Sequence, residues 1–508
     1  MKKEQTQKAI VKRAPVVIVM GHIDHGKSTL LDYIRKSNTV DKEKGGITQH
    51  IGAYEAIFTD KTSTEHRLTF IDTPGHAAFC SIREHGSKAA DLAVLVVSGE
   101  DGVKPQTLEA LGCIKAAKLP YLVAINKIDR PNVDIERIKA NLAEHEVYLE
   151  GYGGDISWVA ISALTGKGIP ELLETLVLMA DIQNLTGDLS QPATGFVIEA
   201  HVDQKKGVIA TLIIKEGTLH TGDMLLSGKS YSPVRSIEIY PAIQTKEAVC
   251  GQPVRIAGWN ELPVVGDIFT ITASRSEAEK QVAAYAQKIK SLKQQSAVAT
   301  EIEGEVDTAT IPLVLKADTL GSLAAVKHEI EKVKIENVIF KILSSTVGAI
   351  SENDIKTAST SKNSLLIGFN IKTDQSAKAS AERLGISVMT FDIIYRLTEW
   401  LTEEATKRRP KKEIEEETGR IKVLKLFSGE KGRFVIGGKV ESGMIKSGAT
   451  IKILRRDTEI GRGKIKGLQH LKDKVDEVGT GKEFGAMIES KIEPAPGDRF
   501  EAFVVTVK

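Results

Sequence analysis

The sequence predicts a multidomain α/β and β protein: a P-loop domain, a β-barrel, an α/β/α domain and a C-terminal β-barrel, joined by long helices. Three observations carry that expectation. Apolar runs and helical stretches alternate through the first 180 residues, the pattern of a mostly parallel sheet covered by helices. Two later segments repeat the same turn signals, residues 217–226 being echoed by residues 443–453, and short strands between Gly turns read as small antiparallel barrels. Residues 276–295 lack Gly and Pro and place Ala283, Ala284, Ala286, Ile289 and Leu292 near helical spacing, and residues 393–409 are helical in pattern.

At 508 residues the chain is too long for one core, and its length implies about three to five domains. The composition shifts divide it into a tail (1–13), the P-loop domain (14–182), a barrel (192–273), a linker helix (274–300), the α/β/α domain (301–392), a second linker helix (393–418) and the last barrel (419–508). Hydrophobic residues make up 41% and charged residues 27%, and no apolar run approaches the ~20 residues of a membrane span. The N-terminus lacks the apolar core of a signal peptide, so a cytoplasmic chain without a membrane partner is expected. Cys80, Cys113 and Cys250 have no metal-ligand spacing and read as reduced thiols. The net charge of +2 selects no partner, but residues 419–508 hold 19 Lys and Arg against 12 Asp and Glu, a local +7 able to face phosphate. A solvated basic surface has the same composition.

The first chemical signal is Gly21, His22, Ile23, Asp24, His25, Gly26, Lys27 and Ser28, which fits G-x-x-x-x-G-K-[ST]. An apolar run at residues 16–20 precedes it as a buried strand, and residues 29–34 open a helix. Gly21 and Gly26 let the backbone curl so that successive amides and the helix N-terminus point at a polyphosphate. Lys27 reaches the terminal phosphates, and the Ser28 hydroxyl is placed to ligate Mg2+.

Further apolar strands at residues 68–71, 92–97, 121–125 and 156–161 alternate with helical stretches at 107–118 and 134–148. Ligands of such sheets bind at the strands' carboxyl ends, and the polar motifs fall there. Asp72, Thr73, Pro74, Gly75 and His76 follow one strand: Asp72 can hold Mg2+ through a water, and the Gly75 amide can sense a terminal phosphate. Thr48, in a polar Gly-containing connection, offers a second hydroxyl to the metal. Asn126, Lys127, Ile128 and Asp129 follow another strand. A carboxylate there accepts from both N1–H and the exocyclic amine of guanine, a donor pair adenine lacks, which selects GTP. Ser162, Ala163 and Leu164 follow the last strand and can support the base. Each piece alone is also a common loop, but four in the order a P-loop GTPase domain requires form one signal.

These motifs resemble the translational GTPases. Within that family, residues 45–54, Pro105 to Thr107, and residues 195–200, 316–322 and 367–370 are similar to bacterial translation initiation factor two, so the resemblance runs through nearly the whole chain. It implies a GTP-driven switch with GTP/GDP and Mg2+ as cofactors. Its implied task is to place formylmethionyl initiator tRNA on the small ribosomal subunit and promote joining of the large one, with the protein acting as a monomer. It also implies that His76, where many GTPases carry a Gln, orients the attacking water once the ribosome moves it into place, and that Asp24 helps hold a monovalent cation. In the last barrel the resemblance implies binding of the formylmethionyl end, where cysteines of relatives align with Gly438 and Phe484, flanked by Glu483, Gly485 and His470. Phe484 is suited either to pack on a methionyl side chain or to fill the core. Other readings are a tRNA-delivering elongation factor, which the α/β domain between barrels argues against, and a nucleotide-regulated scaffold with no ribosomal role.

Two further expectations concern packing. Gly321, after a strand, serves either an anion or, more simply, close helix packing. The adjacent blocks at 407–412 and 413–417, basic then acidic, read as solvated spacer, with Pro410 breaking the helix.

Overall fold

A computed structural model describes residues 10–36, 52–131, 133–296, 309–361, 363–409, 413–430, 432–471 and 473–507. Thr48 and most of the N-terminal tail lie outside them. The chain divides into two compact units, residues 1–408 and 409–508.

The first unit begins with a short strand β1 (Ile10–Lys12) and then β2 (Val16–Gly21), α1 (Lys27–Arg35), β3 (Gly52–Thr59), β4 (Glu65–Asp72), α2 (Cys80–Ala89), β5 (Leu92–Ser98), α3 (Pro105–Ala116), β6 (Tyr121–Asn126), α4 (Ile135–Glu144), β7 (Trp158–Ala160) and α5 (Ile169–Ile182). The sheet order is β3-β4-β2-β5-β6-β7, parallel except for β3, which pairs antiparallel to β4. Successive side chains of a strand point to opposite faces. Val16, Ile18 and Met20 therefore enter one core while Val17 and Val19 enter another, and all five are fully buried. That double burial explains why β2 reads as a continuous apolar run.

Beyond α5 comes the first barrel, an eight-stranded antiparallel sheet centred on strands Thr194–Asp203, Gly207–Glu216 and Pro253–Trp259. Helix α6 (Arg275–Ser296) follows. The α/β/α domain has a parallel four-stranded sheet of Ala309–Ala317, Val338–Val347, Leu365–Phe369 and Val388–Phe391, with the first strand between the second and third. Its helices are α7 (Leu320–Lys332), α8 (Glu352–Ser359), α9 (Gln375–Leu384) and α10 (Ile394–Lys407). Thr319 caps α7, its hydroxyl accepting from the Ser322 amide at 3.1 Å. An ideal Cβ on Gly321 would stand 2.5 Å from Ile82 Cδ1 of α2, so this glycine serves close packing of α7 on α2.

The second unit is a closed barrel: strands Glu413–Glu430, Arg499–Val507, Thr450–Arg455, Thr458–His470, Glu483–Ser490 and Arg433–Lys446 pair in that order, and the last pairs back to the first. The turn repeat is structural, Gly222 and Gly448 both adopting left-handed backbone at φ +102° and +88°. The acidic block corrects its reading as a spacer. Residues 413–417 open the first strand of the barrel, where Glu415 faces Lys452 and Arg462. Neighbouring cations let an acidic run take a ladder position, an effect no local pattern carries.

Candidate nucleotide site

The carboxyl ends of β2, β4, β6 and β7 converge on a cleft of about 340 Å3. Its walls bring together Ile23, Asp24, Gly26, Lys27, Ser28, Gly75, His76, Asn126, Lys127, Asp129, Ala163 and Leu164 from four separate loops, and add Thr29 and Arg130, which carried no sequence signal. The remaining described residues singled out from sequence, Gly21, His22, His25, Asp72, Thr73, Pro74, Ile128 and Ser162, belong to the same loops but do not line the cleft.

Geometry dictates residue type along the phosphate loop. Gly21 runs so close to β5 that a Cβ would meet the Val96 carbonyl at 2.3 Å. Gly26 has φ +88°, and a Cβ there would meet Asn126 Nδ2 at 2.3 Å. Asn126 uses that space as a brace: Nδ2 donates to the His25 carbonyl at 2.8 Å and Oδ1 accepts from the Ala163 amide at 2.9 Å. It thus ties the phosphate loop to the loop after β7, with its side chain buried rather than turned to a base.

Lys27, on the first turn of α1, is buried, and its Nζ donates to the His22 carbonyl at 2.7 Å. Burial lowers its pKa to about 8, against the pull of the Asp72 carboxylate. An ideal Cβ on Gly75 would lie 2.5 Å from this Nζ and 3.1 Å from the Ile23 amide nitrogen, so a larger residue would crowd the ammonium where the two loops meet. The Ile23 amide donates to Gln106 Oε1 of α3 at 3.0 Å.

Three residues of the phosphate-side motifs have side chains engaged within the protein. His25 is fully buried, its Nδ1 accepting from the Ser98 amide at 3.2 Å, and burial lowers its pKa to about 3. The His22 ring stands edge-on to it at 4.9 Å. Thr73 donates its hydroxyl to the Val19 carbonyl at 2.7 Å. The partners of His25 and Thr73 lie on neighbouring strands, so these side chains brace the loops whose backbone faces the cleft.

Asp129 is exposed at the cleft, held below the usual carboxylate range chiefly by a hydrogen bond from Ser162. That supports an ionised acceptor facing the cavity. For Mg2+, the Ser28 hydroxyl lines the cleft beside Lys27, and the Asp72 carboxylate at the end of β4 lies near enough to stabilise the Lys27 ammonium. No cluster of three His, Cys, Asp or Glu suited to a metal occurs among the described residues. A hard cation held by one hydroxyl, one carboxylate and phosphate oxygens fits such a donor set.

His76 is enclosed. Its Nδ1 accepts from the Ala78 amide at 2.8 Å, which leaves the ring proton on Nε2, a buried atom without a partner among the described residues. Tyr395 of α10 packs on the ring at 4.3 Å between centroids and Phe79 meets it edge-on at 6.1 Å. Burial lowers the pKa of His76 to about 4. Tyr395 also reaches Gln106, so one aromatic of the α/β/α domain touches both the phosphate-loop brace and the histidine. Sequence spacing carried no trace of this contact, since 319 residues separate the partners by number.

In the C-terminal unit the proposed tRNA residues do not share a face. Gly438 pairs with Phe484, and both point inward, where Phe484 is a core residue whose ring end would lie 3.1 Å from a Cβ on Gly438. Neither can meet a ligand from outside, which corrects their reading as contacts. Glu483 and Gly485 alternate outward, and His470 Nδ1 lies 2.7 Å from the Glu483 carbonyl. On that outer face Gly485 pairs with Gly437 beneath exposed Phe427, Val435 and Met487, with Lys425 over the Phe427 ring.

Known proteins match the chain in segments and as a whole. The family model described as Elongation factor Tu GTP binding domain matches residues 12–181, Elongation factor G domain 2 matches residues 192–272, and Translation-initiation factor 2 matches residues 284–402. Translation initiation factor IF-2 of Persephonella marina is 42% identical over 98% of this chain and 56% of its own length, so the chain spans about half the length of such curated relatives. The GDP-bound crystal structure of aIF5B from Aeropyrum pernix is 26% identical, covering 97% of this chain and 92% of its own, with a TM-score of 0.48. Translation initiation factor IF-2 of Onion yellows phytoplasma is 40% identical over 94% of this chain and 77% of its own length. This chain belongs to the translation initiation factor IF-2 family.

Proposed function

We propose that the chain binds GTP with Mg2+, hydrolyses it to GDP and phosphate when stimulated by the ribosome, and acts as an initiation factor. In that role it stabilises formylmethionyl initiator tRNA on the small subunit and promotes joining of the large one. The observation that carries this reading is the cleft itself: a lysine ammonium beneath a glycine loop at one end and an exposed, ionised Asp129 at the other, both on one wall set. Lys27 and the loop amides bind the phosphates, Ser28 and Asp72 hold the Mg2+ together with Thr48, and Asp129 accepts from the guanine edge. Ala163, Leu164 and Lys127 flank the base. Mg2+ supplies charge neutralisation between the phosphates; water alignment falls to His76 and the phosphate contact to the Gly75 amide. His76 as it stands is boxed in by Tyr395 and held neutral, so hydrolysis awaits its release. The reaction should therefore be slow off the ribosome.

The domain boundaries set out from the sequence belong to the same proposal. The outer face around Gly437, Gly485 and Met487, apolar and bordered by lysines, suits the formylmethionyl end of the tRNA better than the buried Phe484 does. His76→Ala should leave GTP and GDP affinities unchanged and lower ribosome-stimulated phosphate release by at least about 100-fold. Release at the parent rate would remove His76 from the reaction.

A further inference from the structure

Arg83 of α2 is the largest side chain fully buried among the described residues, 1% exposed. Burying a cation costs far more than burying an apolar group unless charge and hydrogen bonds compensate. What compensates Arg83 is specific. Nη1 donates to three successive carbonyls, those of Pro74 at 3.4 Å, Gly75 at 3.3 Å and His76 at 2.8 Å, and Nη2 donates to Glu109 Oε2 of α3 at 2.8 Å. The loop between Thr73, tied to β2, and Ala78, tied to the His76 ring, is held by this one guanidinium.

A trans peptide is planar, with its carbonyl and the next amide pointing opposite ways. Holding the Pro74 carbonyl toward α2 therefore turns the Gly75 amide away from α2, and the Gly75 carbonyl fixes the His76 amide in the same way. Gly75 is also the residue whose missing side chain makes room for the Lys27 ammonium. We infer that Arg83 is a positioning residue for hydrolysis, which aims the Gly75 amide and the backbone of His76 at the terminal phosphate. This rests on the role proposed above for Gly75 and His76. A lysine, shorter and without the planar fork, cannot span three carbonyls and Glu109 together.

The test uses the whole chain with ribosomes and compares Arg83→Met, Arg83→Lys, Glu109→Gln and His76→Ala. Phosphate release is read as kcat and ribosome KM, beside the affinities for GDP and for a non-hydrolysable GTP analogue and the thermal midpoint. Arg83→Met should lower kcat on the order of 100-fold with KM within about twofold. It should leave GDP affinity intact, because GDP lacks the phosphate Gly75 meets, and should weaken binding of the analogue relative to the parent. Arg83→Lys should recover only part of kcat, and Glu109→Gln should lose a few-fold. The inference is overturned by a parent-like kcat in Arg83→Met while His76→Ala is inactive. It is equally overturned if GDP affinity and thermal midpoint fall in step with kcat, the mark of a merely structural role. Should Arg83→Met not fold, the split between kcat and GDP affinity in Arg83→Lys and Glu109→Gln decides in the same two ways. Parent-like release by His76→Ala would instead refute the reading of the site itself.

Discussion

An ammonium buried before its ligand arrives is a primed electrostatic element. Lys27 is poised this way: desolvation lowers its pKa to about 8, and the His22 carbonyl holds the amine where phosphate oxygens would bind. A bound polyphosphate favours the charged form and raises that pKa, so binding takes up a proton once pH exceeds about 8. Affinity should therefore be flat below that point and fall above it, by about tenfold between pH 7 and pH 9. Lys27→Arg, whose charge does not titrate over this range, should bind with a flat profile, and calorimetry at the two pH values checks both. A flat profile for the parent would show that the free lysine is already fully charged at pH 9. At this scale the glycines, Lys27, Ser28 and Asp129 were legible in the sequence because local backbone geometry and ligand chemistry dictate them. Asn126, Thr73 and His25 were legible as motif members, but their work was not. Each is committed to a partner on another strand or loop, Ala163, Val19 and Ser98 respectively.

At the scale of elements, α2 joins the site to the α/β/α domain. It carries Arg83 on the side of the Pro74–His76 loop and Ile82 against Gly321 of α7. A side chain at position 321 must displace the Ile82 side chain of α2. Gly321→Val should cost about 1–3 kcal/mol of stability. Ile82→Ala costs stability by itself yet should recover part of the loss in the double variant, a favourable coupling measured by a urea-unfolding cycle. Simple additivity would mean the helices do not touch there in solution. Gly321 was legible in the sequence, with packing its simpler reading; its partner in α2 and the Thr319 cap were not readable. The acidic stretch at 413–417 failed as a spacer for the same reason, since what makes it a strand is a ladder to residues 503–507 and the cations opposite Glu415.

Across the whole molecule, the order of α/β, β, α/β and β modules was legible because each carries its own hydrophobic period and the two barrels repeat a turn pattern. Strand pleat decided what the motif alignment in the last barrel could not: a shift of one residue separates the buried Phe484 from the outward Gly485. Nor did any local signal announce that α10 would bring Tyr395 onto His76, joining the α/β/α domain to the nucleotide cleft. The account nevertheless rests on one cleft with a phosphate end at Lys27 and a base end at Asp129. Its most direct test is a calorimetric titration of GTP and ATP into the parent chain and into Asp129→Ala. The parent should prefer GTP on the order of 1,000-fold or more, and the variant should bring the two nucleotides to within about tenfold. Equal affinities for GTP and ATP in the parent, or an unchanged preference in Asp129→Ala, would contradict it.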